Sequence, residues 1–201
     1  MTSGLHHEIG GSGPRVALLH PVGLDLTFVA PIAEILRKDF SVLTVDQRGH
    51  GNSTAAIPAN SLEDYADDLY SLFAEIDFAP AAIVGFSFGG MVAQAFALKY
   101  PKAIHALVIC ACTSTQTPQT REIARARGDD ARRDGMATVL DATLDRWFTP
   151  AFRATGKDEA ARRRLLTDDV EGWAQAWYAM GDIHTLPRLP SIRIPNALHC
   201  R

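Results

Sequence analysis

The sequence contains little cysteine, with only Cys110, Cys112 and Cys200 among 201 residues. A small and odd number argues against the disulfide framework of a small secreted fold, so we expect buried thiols in a reducing cytoplasm. No apolar run is long enough to cross a bilayer, and the first residues lack the basic start and apolar core of a signal peptide. We therefore expect a cytoplasmic protein with no membrane contact.

Positive charge is not in excess either. The formal net charge is -3, with 21% charged and 47% hydrophobic residues, so there is no basic field to attract nucleic acid or an anionic membrane. The composition is that of an ordinary globular protein, and the length suits one domain with an inserted subdomain. We expect a small-molecule partner, no nucleic acid, no metal site and no cofactor.

Short apolar runs alternate with longer helical patterns in the first half of the chain. The apolar runs lie at 15–20, 41–46, 81–85 and 104–112. Helical spacing of apolar residues is found at 27–37, 61–76 and 89–100. Ser61 can cap the second helix, with Asp64 in its first turn. This alternation predicts an α/β fold, a mostly parallel sheet with helices on both faces and ligands at its carboxyl edge.

The pattern changes after Thr113. Residues 114–189 contain no convincing strand, and arginine and aspartate become dense, which predicts a helical insertion above the sheet. A strand pattern returns at 192–195. We therefore divide the chain into a core (1–113), a helical cap (114–189) and the start of a returning core strand (190–201). On this division the C-terminal core elements are missing, and an apolar parallel strand is left as an open edge.

A serine flanked by glycines follows the third apolar run, in the stretch Gly85-Phe-Ser87-Phe-Gly89-Gly90. The pattern G-x-S-x-G between a strand and a helix is typical of a nucleophile elbow. The backbone turns sharply at Ser87, and glycines at 85 and 89 remove side chains that would collide across the turn. We expect a strained Ser87 with its hydroxyl facing a pocket, the alternative being an ordinary Gly/Ser-rich turn.

Two backbone N–H groups are candidates for an oxyanion hole. Phe88 directly follows the serine at the start of a helix, whose dipole favours a developing negative charge. Val22 lies in the loop after the first parallel strand, where Pro21 has no N–H to offer. In the same loop we expect His20 to be a structural anchor rather than the base, because a base must reach Ser87 from another loop.

The polar, glycine-rich stretch 46–53 follows the second parallel strand. A substrate-binding loop at this edge of the sheet would have a similar composition. We favour instead a hydrogen-bonded turn in which Asp46 pairs with Arg48 and fixes the loop.

These stretches together resemble the α/β-hydrolase superfamily. The three that carry the resemblance are His20-Pro-Val-Gly23, Asp46-Gln-Arg-Gly-His-Gly51 and Gly85-Phe-Ser-Phe-Gly-Gly90. In the insertion, Gly135-Met136 and Arg146-Trp147-Phe148-Thr149 are similar to the cap of 3-oxoadipate enol-lactonases. The elbow itself is shared with carboxylesterases and cofactor-free haloperoxidases.

The resemblance implies hydrolysis of a lactone or carboxylic ester, most closely that of 3-oxoadipate enol-lactone. Ser87 would attack the carbonyl carbon, and the N–H groups of Val22 and Phe88 would hold the oxyanion. Trp147 and Arg146 would line the substrate pocket under the cap. Packing of the cap against the core is an equal alternative for Trp147, since a tryptophan at such a seam commonly does both.

The family pattern places the triad acid after the strand expected near Ile192, and the histidine still later. The sequence ends before both positions, and the histidines it does contain are in segments poorly placed to replace the missing one. Loss of the base costs several orders of magnitude in rate. We therefore expect an inactive member of the family, the alternative being a non-catalytic fragment or binding module from a frameshifted gene.

The last six residues, Asn196-Ala-Leu-His-Cys-Arg201, predict such a frameshift. They can be written AAC GCT CTG CAT TGC CGG, and without the first base the string encodes Thr-Leu-Cys-Ile-Ala-Gly. That is the apolar strand and glycine turn with which the family pattern continues. We expect the alternative frame past this point to encode an aspartate soon after the glycine and a histidine later. Sequencing the gene tests this, and a frame that lacks both residues contradicts it.

Overall fold

A six-stranded sheet forms the centre of the fold. The computed structural model describes residues 4–53, 59 and 61–194, and the backbone of 198–200. The strands are β1 (His7–Gly10), β2 (Arg15–Leu19), β3 (Ser41–Val45), β4 (Ala81–Phe86), β5 (Ile104–Cys110) and β6 (Leu198–Cys200). Their spatial order is β1-β3-β2-β4-β5-β6, and every neighbouring pair is parallel except β1 with β3.

Three helices cover the two faces of the sheet. They are α1 (Leu26–Leu36), α2 (Leu62–Glu75) and α3 (Phe88–Lys99). Successive side chains of a strand point to opposite faces, so Leu18 packs with α1 on one face while Leu19 packs with α2 and α3 on the other. The mostly parallel sheet with helices on both faces is therefore confirmed. The predicted cap of α2 is also present, because the Ser61 N–H donates to Asp64 Oδ2 at 2.9 Å.

Between β5 and β6 the described residues form five α-helices and no strand. They are α4 (Pro118–Asp134), α5 (Met136–Trp147), α6 (Pro150–Arg153), α7 (Glu159–Leu166) and α8 (Val170–Gly181). Leu144, Leu165 and Trp173 are buried in the same apolar cluster as the residues of α2 and α3. The helical segment therefore packs directly on the core. None of the helices in the described part combines the length and apolarity needed to cross a membrane.

Two strands differ from the sequence-based expectation. The antiparallel β1 was not predicted, because its four residues carry no clear apolar alternation. The returning strand was expected at 192–195, but β6 starts at Leu198 and pairs with β5. Ile192 instead closes a 3-10 turn, its N–H donating to Leu189 O at 3.0 Å. In the described part of the chain the sheet ends at β6, which is parallel to β5, so the expected parallel edge strand is β6.

A close contact between two glycines joins the helical segment to the core. Gly49 lies in the loop after β3, and Gly172 lies in the first turns of α8. A Cβ atom added to Gly172 would collide with the carbonyl oxygen of Gly49 and lie 2.7 Å from its Cα. Only glycine on both sides lets the two backbones approach this closely.

We predict that Gly172→Ala destabilises the protein. Alanine is better than glycine inside a helix by about 1 kcal/mol, but here the added methyl group must push α8 away from the core loop. Overpacking of this kind costs about 1–3 kcal/mol, so we expect a lower melting temperature by circular dichroism. Gly181→Ala in the same helix is the control, because its Cβ would lie 3.3 Å from the Ala124 side chain and 3.5 Å from the Arg121 carbonyl oxygen, without the collision with backbone found at Gly172. An unchanged melting temperature for Gly172→Ala would contradict the close contact.

Candidate active site

Ser87 lies at the junction of β4 and α3. The strand ends at Phe86 and the helix begins at Phe88, one residue earlier than expected. The backbone of Ser87 is in the left-handed region, with φ 51° and ψ -113°, a conformation that strains a residue with a side chain. Its N–H donates to the Cys110 carbonyl oxygen at 2.9 Å, which ties the junction to β5. The predicted position and strain of Ser87 are therefore confirmed.

Two glycines allow this junction to form. A Cβ at Gly85 would lie 2.6 Å from the carbonyl carbon of Gly89, and a Cβ at Gly89 would lie 2.5 Å from the carbonyl oxygen of Leu19 in β2. Side chains at either position would force α3 away from the sheet. The motif therefore fixes how closely the helix approaches the strands.

The two predicted oxyanion donors lie beside this junction. Phe88 is the first residue of α3, so its N–H is among those that the helix leaves without an internal partner. Val22 is 2% exposed and lines the same cavity as Ser87. In the described part of the chain, neither N–H donates a hydrogen bond. No described residue therefore occupies the two positions predicted for the oxyanion donors.

His20 anchors the loop that contains Val22. Its ring is fully buried, with Nε2 accepting from the Gln47 N–H at 3.0 Å and Nδ1 donating to the Pro21 carbonyl oxygen at 2.7 Å. Burial, assisted by the nearby His50, lowers the pKa of His20 to about 3. The ring is therefore neutral near pH 7, and its two nitrogens are both occupied. This supports the structural interpretation of His20.

The loop after β3 is not held by the expected pair of Asp46 with Arg48. Arg48 forms its ion pair with Asp68 of α2, its Nε donating at 2.5 Å. The buried Asp46 carboxylate accepts instead from the N–H groups of Leu26 at 2.7 Å and Asn52 at 2.9 Å. The predicted pairing was wrong, because the long Arg48 side chain reaches the neighbouring helix while the short Asp46 side chain bonds to nearby backbone. The interpretation of this stretch as a hydrogen-bonded turn still describes it.

A cavity of about 940 Å³ lies between the sheet edge and the helical segment. Ser87, Val22 and Cys112 line it from the core, and residues of α4, α5 and α8 line it from above. Its volume is in the range of a small-molecule site. Among the described residues that line it there is no histidine and no carboxylate. The Ser87 hydroxyl likewise makes no hydrogen bond to any described residue.

Trp147 and Arg146 lie at the end of α5 and both line this cavity. Trp147 is half-buried and packs against the apolar core cluster as well as edge-on against Phe148, with ring centroids 6.4 Å apart; its contact with a substrate stays a prediction. Arg127 of α4 and Trp177 of α8 also line the cavity, and neither was predicted from the sequence as a site residue. Arg127 lies in an arginine-rich stretch whose other members gave no reason to single it out.

Cys112 also lines the cavity, a position that was not predicted from the sequence. Strand β5 ends at Cys110, so Cys112 lies in the following loop, and both thiols are half-buried rather than buried. The Gln94 amide donates to Cys112 Sγ at 3.3 Å. Burial raises the pKa of the Cys112 thiol to about 11, so it is protonated at neutral pH and is a weak nucleophile.

No histidine side chain that the structure describes forms a hydrogen bond to the Ser87 hydroxyl or lines its cavity. His50 is buried in the loop after β3 and stacks on the Phe88 ring, with centroids 5.7 Å apart. His105 is exposed in β5, and His184 follows α8 and bridges to Thr115. For His199 in β6 only the backbone is described, paired with Ile109.

Comparison with known proteins identifies relatives of similar architecture. The curated 3-oxoadipate enol-lactonase 2 of Acinetobacter baylyi is 24% identical over 195 residues, which is 95% of this chain and 72% of the relative. The crystal structure of the enol-lactonase from Burkholderia xenovorans LB400 is 30% identical, with a TM-score of 0.89 over 97% of this chain and 76% of that one. A thermophilic esterase from Thermogutta terrifontis, determined with malate bound, is 30% identical, with a TM-score of 0.88 over 97% and 74%.

The sequence also matches a model of a protein family. The model described as alpha/beta hydrolase fold matches residues 18–181, which include the Val22 loop, the Ser87 junction and the helices α4 to α8. The match covers most of the chain and agrees with the sheet order and the serine junction described above. The chain therefore belongs to the alpha/beta hydrolase fold family.

Proposed function

We propose that this chain derives from a serine hydrolase of carboxylic esters or lactones, with Ser87 as its nucleophile. The observation that carries the proposal is the left-handed backbone of Ser87 between β4 and α3, beside the two predicted oxyanion donors and a cavity of substrate size. A nucleophile must stand clear of the sheet and beside an oxyanion site, and this junction meets both requirements.

The reaction follows from these groups. The Ser87 oxygen attacks the carbonyl carbon of the ester, and the negative charge moves to the carbonyl oxygen, where the N–H groups of Val22 and Phe88 bind it. Collapse of the tetrahedral intermediate breaks the ester bond and leaves an acyl-serine. Attack by water on that acyl group releases the acid and restores Ser87. Each attack needs a base that takes a proton from the attacking oxygen, and each collapse returns that proton to the departing oxygen, which is first the alcohol or enol of the substrate and then the hydroxyl of Ser87.

For the substrate, we favour an enol-lactone such as that of 3-oxoadipate. Support comes from the Arg146–Trp147 pair at the cavity and from the two enol-lactonase relatives. Residues 114–189 would act as the cap that encloses the substrate. The half-buried thiols of Cys110 and Cys112 suit a reducing cytoplasm.

A second candidate function is binding without catalysis. The observation that favours it is the absence of histidine and carboxylate from the described lining of the cavity. A serine without a base is a weak nucleophile. We therefore propose that the chain as given is nearly inactive as an esterase, and that its cavity would then serve only to bind.

The hydrolase proposal predicts that a fluorophosphonate probe labels Ser87 stoichiometrically, whereas the binding proposal predicts no adduct. The oxyanion donors and the strained junction favour attack on a strongly electrophilic phosphorus, but labelling also needs a base that takes the proton of Ser87. Intact-protein mass spectrometry should show one adduct, and Ser87→Ala should abolish it. Ser114→Ala is the matched control, because Ser114 lines the same cavity and its loss should leave the adduct in place. No adduct, or an adduct that survives Ser87→Ala, would favour the binding function.

We also predict very slow turnover of 4-nitrophenyl acetate. Removal of triad members lowers kcat by roughly 10⁴- to 10⁶-fold, and the purified chain should fall below a related hydrolase with a complete triad by a factor in that range. Initial rates of 4-nitrophenolate release measure this. A Ser87-dependent rate close to that of the related hydrolase would show that this chain does supply a base.

A further inference from the structure

The arginines of helices α4 to α8 divide into two groups. All of them except Arg127 and Arg146 have a carboxylate at ion-pair distance, such as Asp182 for Arg125 and Asp141 for Arg162. Within the described part of the chain, Arg127 and Arg146 have no such partner. Both line the cavity that contains Ser87, and the described lining residues include no carboxylate. Two positive charges thus face one cavity without a counter-charge.

This arrangement is electrostatically unfavourable for the empty protein. Burial, together with the charge of Arg146, lowers the pKa of Arg127. In proteins a partly buried guanidinium charge is usually compensated by a nearby carboxylate, and the other arginines of these helices all have one. An anion in the cavity would be attracted to both guanidinium groups.

Arg127 is also held in position for a ligand. Its guanidinium lies over the Trp177 ring, 4.8 Å from the centroid, a favourable cation–π distance. Its backbone carbonyl accepts from Trp173 Nε1 at 3.2 Å, which fixes this turn of α4 to α8. The planar fork of an arginine positioned in this way matches the two oxygens of a carboxylate.

A third donor is present at the same place. Trp177 is 8% exposed and lines the cavity, and its buried Nε1 has no hydrogen-bond partner among the described residues. A buried N–H without a partner costs free energy that a ligand oxygen recovers when it binds. Trp177 therefore indicates an oxygen-bearing ligand independently of the two charges.

We propose that Arg127, with Arg146 and the Trp177 N–H, binds a carboxylate of the substrate, so that the site selects esters or lactones that carry a carboxylate remote from the reacting carbonyl. The inference deepens the proposed function and rests on it only for the reacting end of the substrate. Arg127 is a specificity residue in this account and takes no part in bond breaking. The competing explanation is that Arg127 only packs on Trp177.

Binding measured without turnover tests the proposal. In a Ser87→Ala background, titration calorimetry compares monomethyl adipate, which has one free carboxylate, with the neutral dimethyl adipate. We expect the monoester to bind more tightly, and Arg127→Gln to weaken its binding by about tenfold to hundredfold, the loss of a charge-assisted contact. Binding of the diester should change by no more than about twofold. Arg127→Lys keeps the charge but not the fork, and should retain part of the preference.

Arg125→Gln is the matched control, because Arg125 lies on the same helix but is paired with Asp182, and both esters should bind to it as to the parent. Three results would overturn the proposal: no binding of the monoester, equal binding of both esters, or equal loss of both in Arg127→Gln. Melting temperatures identify a misfolded variant, and Arg127→Lys then serves in place of Arg127→Gln.

Phosphonate labelling of native Ser87 distinguishes failure of the carboxylate-binding proposal from failure of the hydrolase proposal. Labelling without a carboxylate preference rejects only this inference, and a preference without labelling rejects only the hydrolase.

Discussion

The junction of β4 and α3 at Ser87 is the constraint on which the rest of the site depends. The helix begins in the residue after the serine, so the sheet edge, the serine hydroxyl and the first helical N–H are brought together within three residues. This requires α3 to lie directly against β2 and β4, and only glycine at positions 85 and 89 permits that distance. Two contacts hold the strained backbone conformation of Ser87 in place. Its N–H donates to the Cys110 carbonyl oxygen, and the helix α3 that follows it is buried against the sheet.

The helical segment completes the site by contributing the second wall of the cavity. Its attachment to the core relies on close packing, with Gly172 against Gly49 and with Trp173 buried in the shared apolar cluster. Its own helices share buried apolar residues such as Ala124, Leu140 and Met180, and exposed ion pairs such as Arg132 with Glu171 each contribute little alone. The tightly packed contacts therefore locate the segment on the core. The surface charges mainly keep its outer face soluble.

Much of this fold could be predicted from the sequence because its determinants are local. The apolar runs of β2 to β5, the Ser61 cap and the glycines around Ser87 each act through neighbouring residues. The predictions that were wrong concern contacts between residues that are far apart in the sequence. Arg48 pairs with Asp68 of a distant helix rather than with nearby Asp46, and β6 depends on pairing with β5. Arg127 and Trp177 could not be selected either, because only the packing of α4 on α8 brings an unpaired guanidinium and an unpaired indole N–H to one cavity.

The burial of His20 has a consequence for any pH–rate profile of this protein. With a pKa of about 3, the ring keeps one tautomer throughout the neutral range, and the loop bearing Val22 keeps its hydrogen bonds to Gln47 and Pro21. Titration of His20 therefore does not move Val22 in the pH range where ester hydrolysis is assayed. An ionisation observed near neutrality in such a profile would belong to a group other than His20.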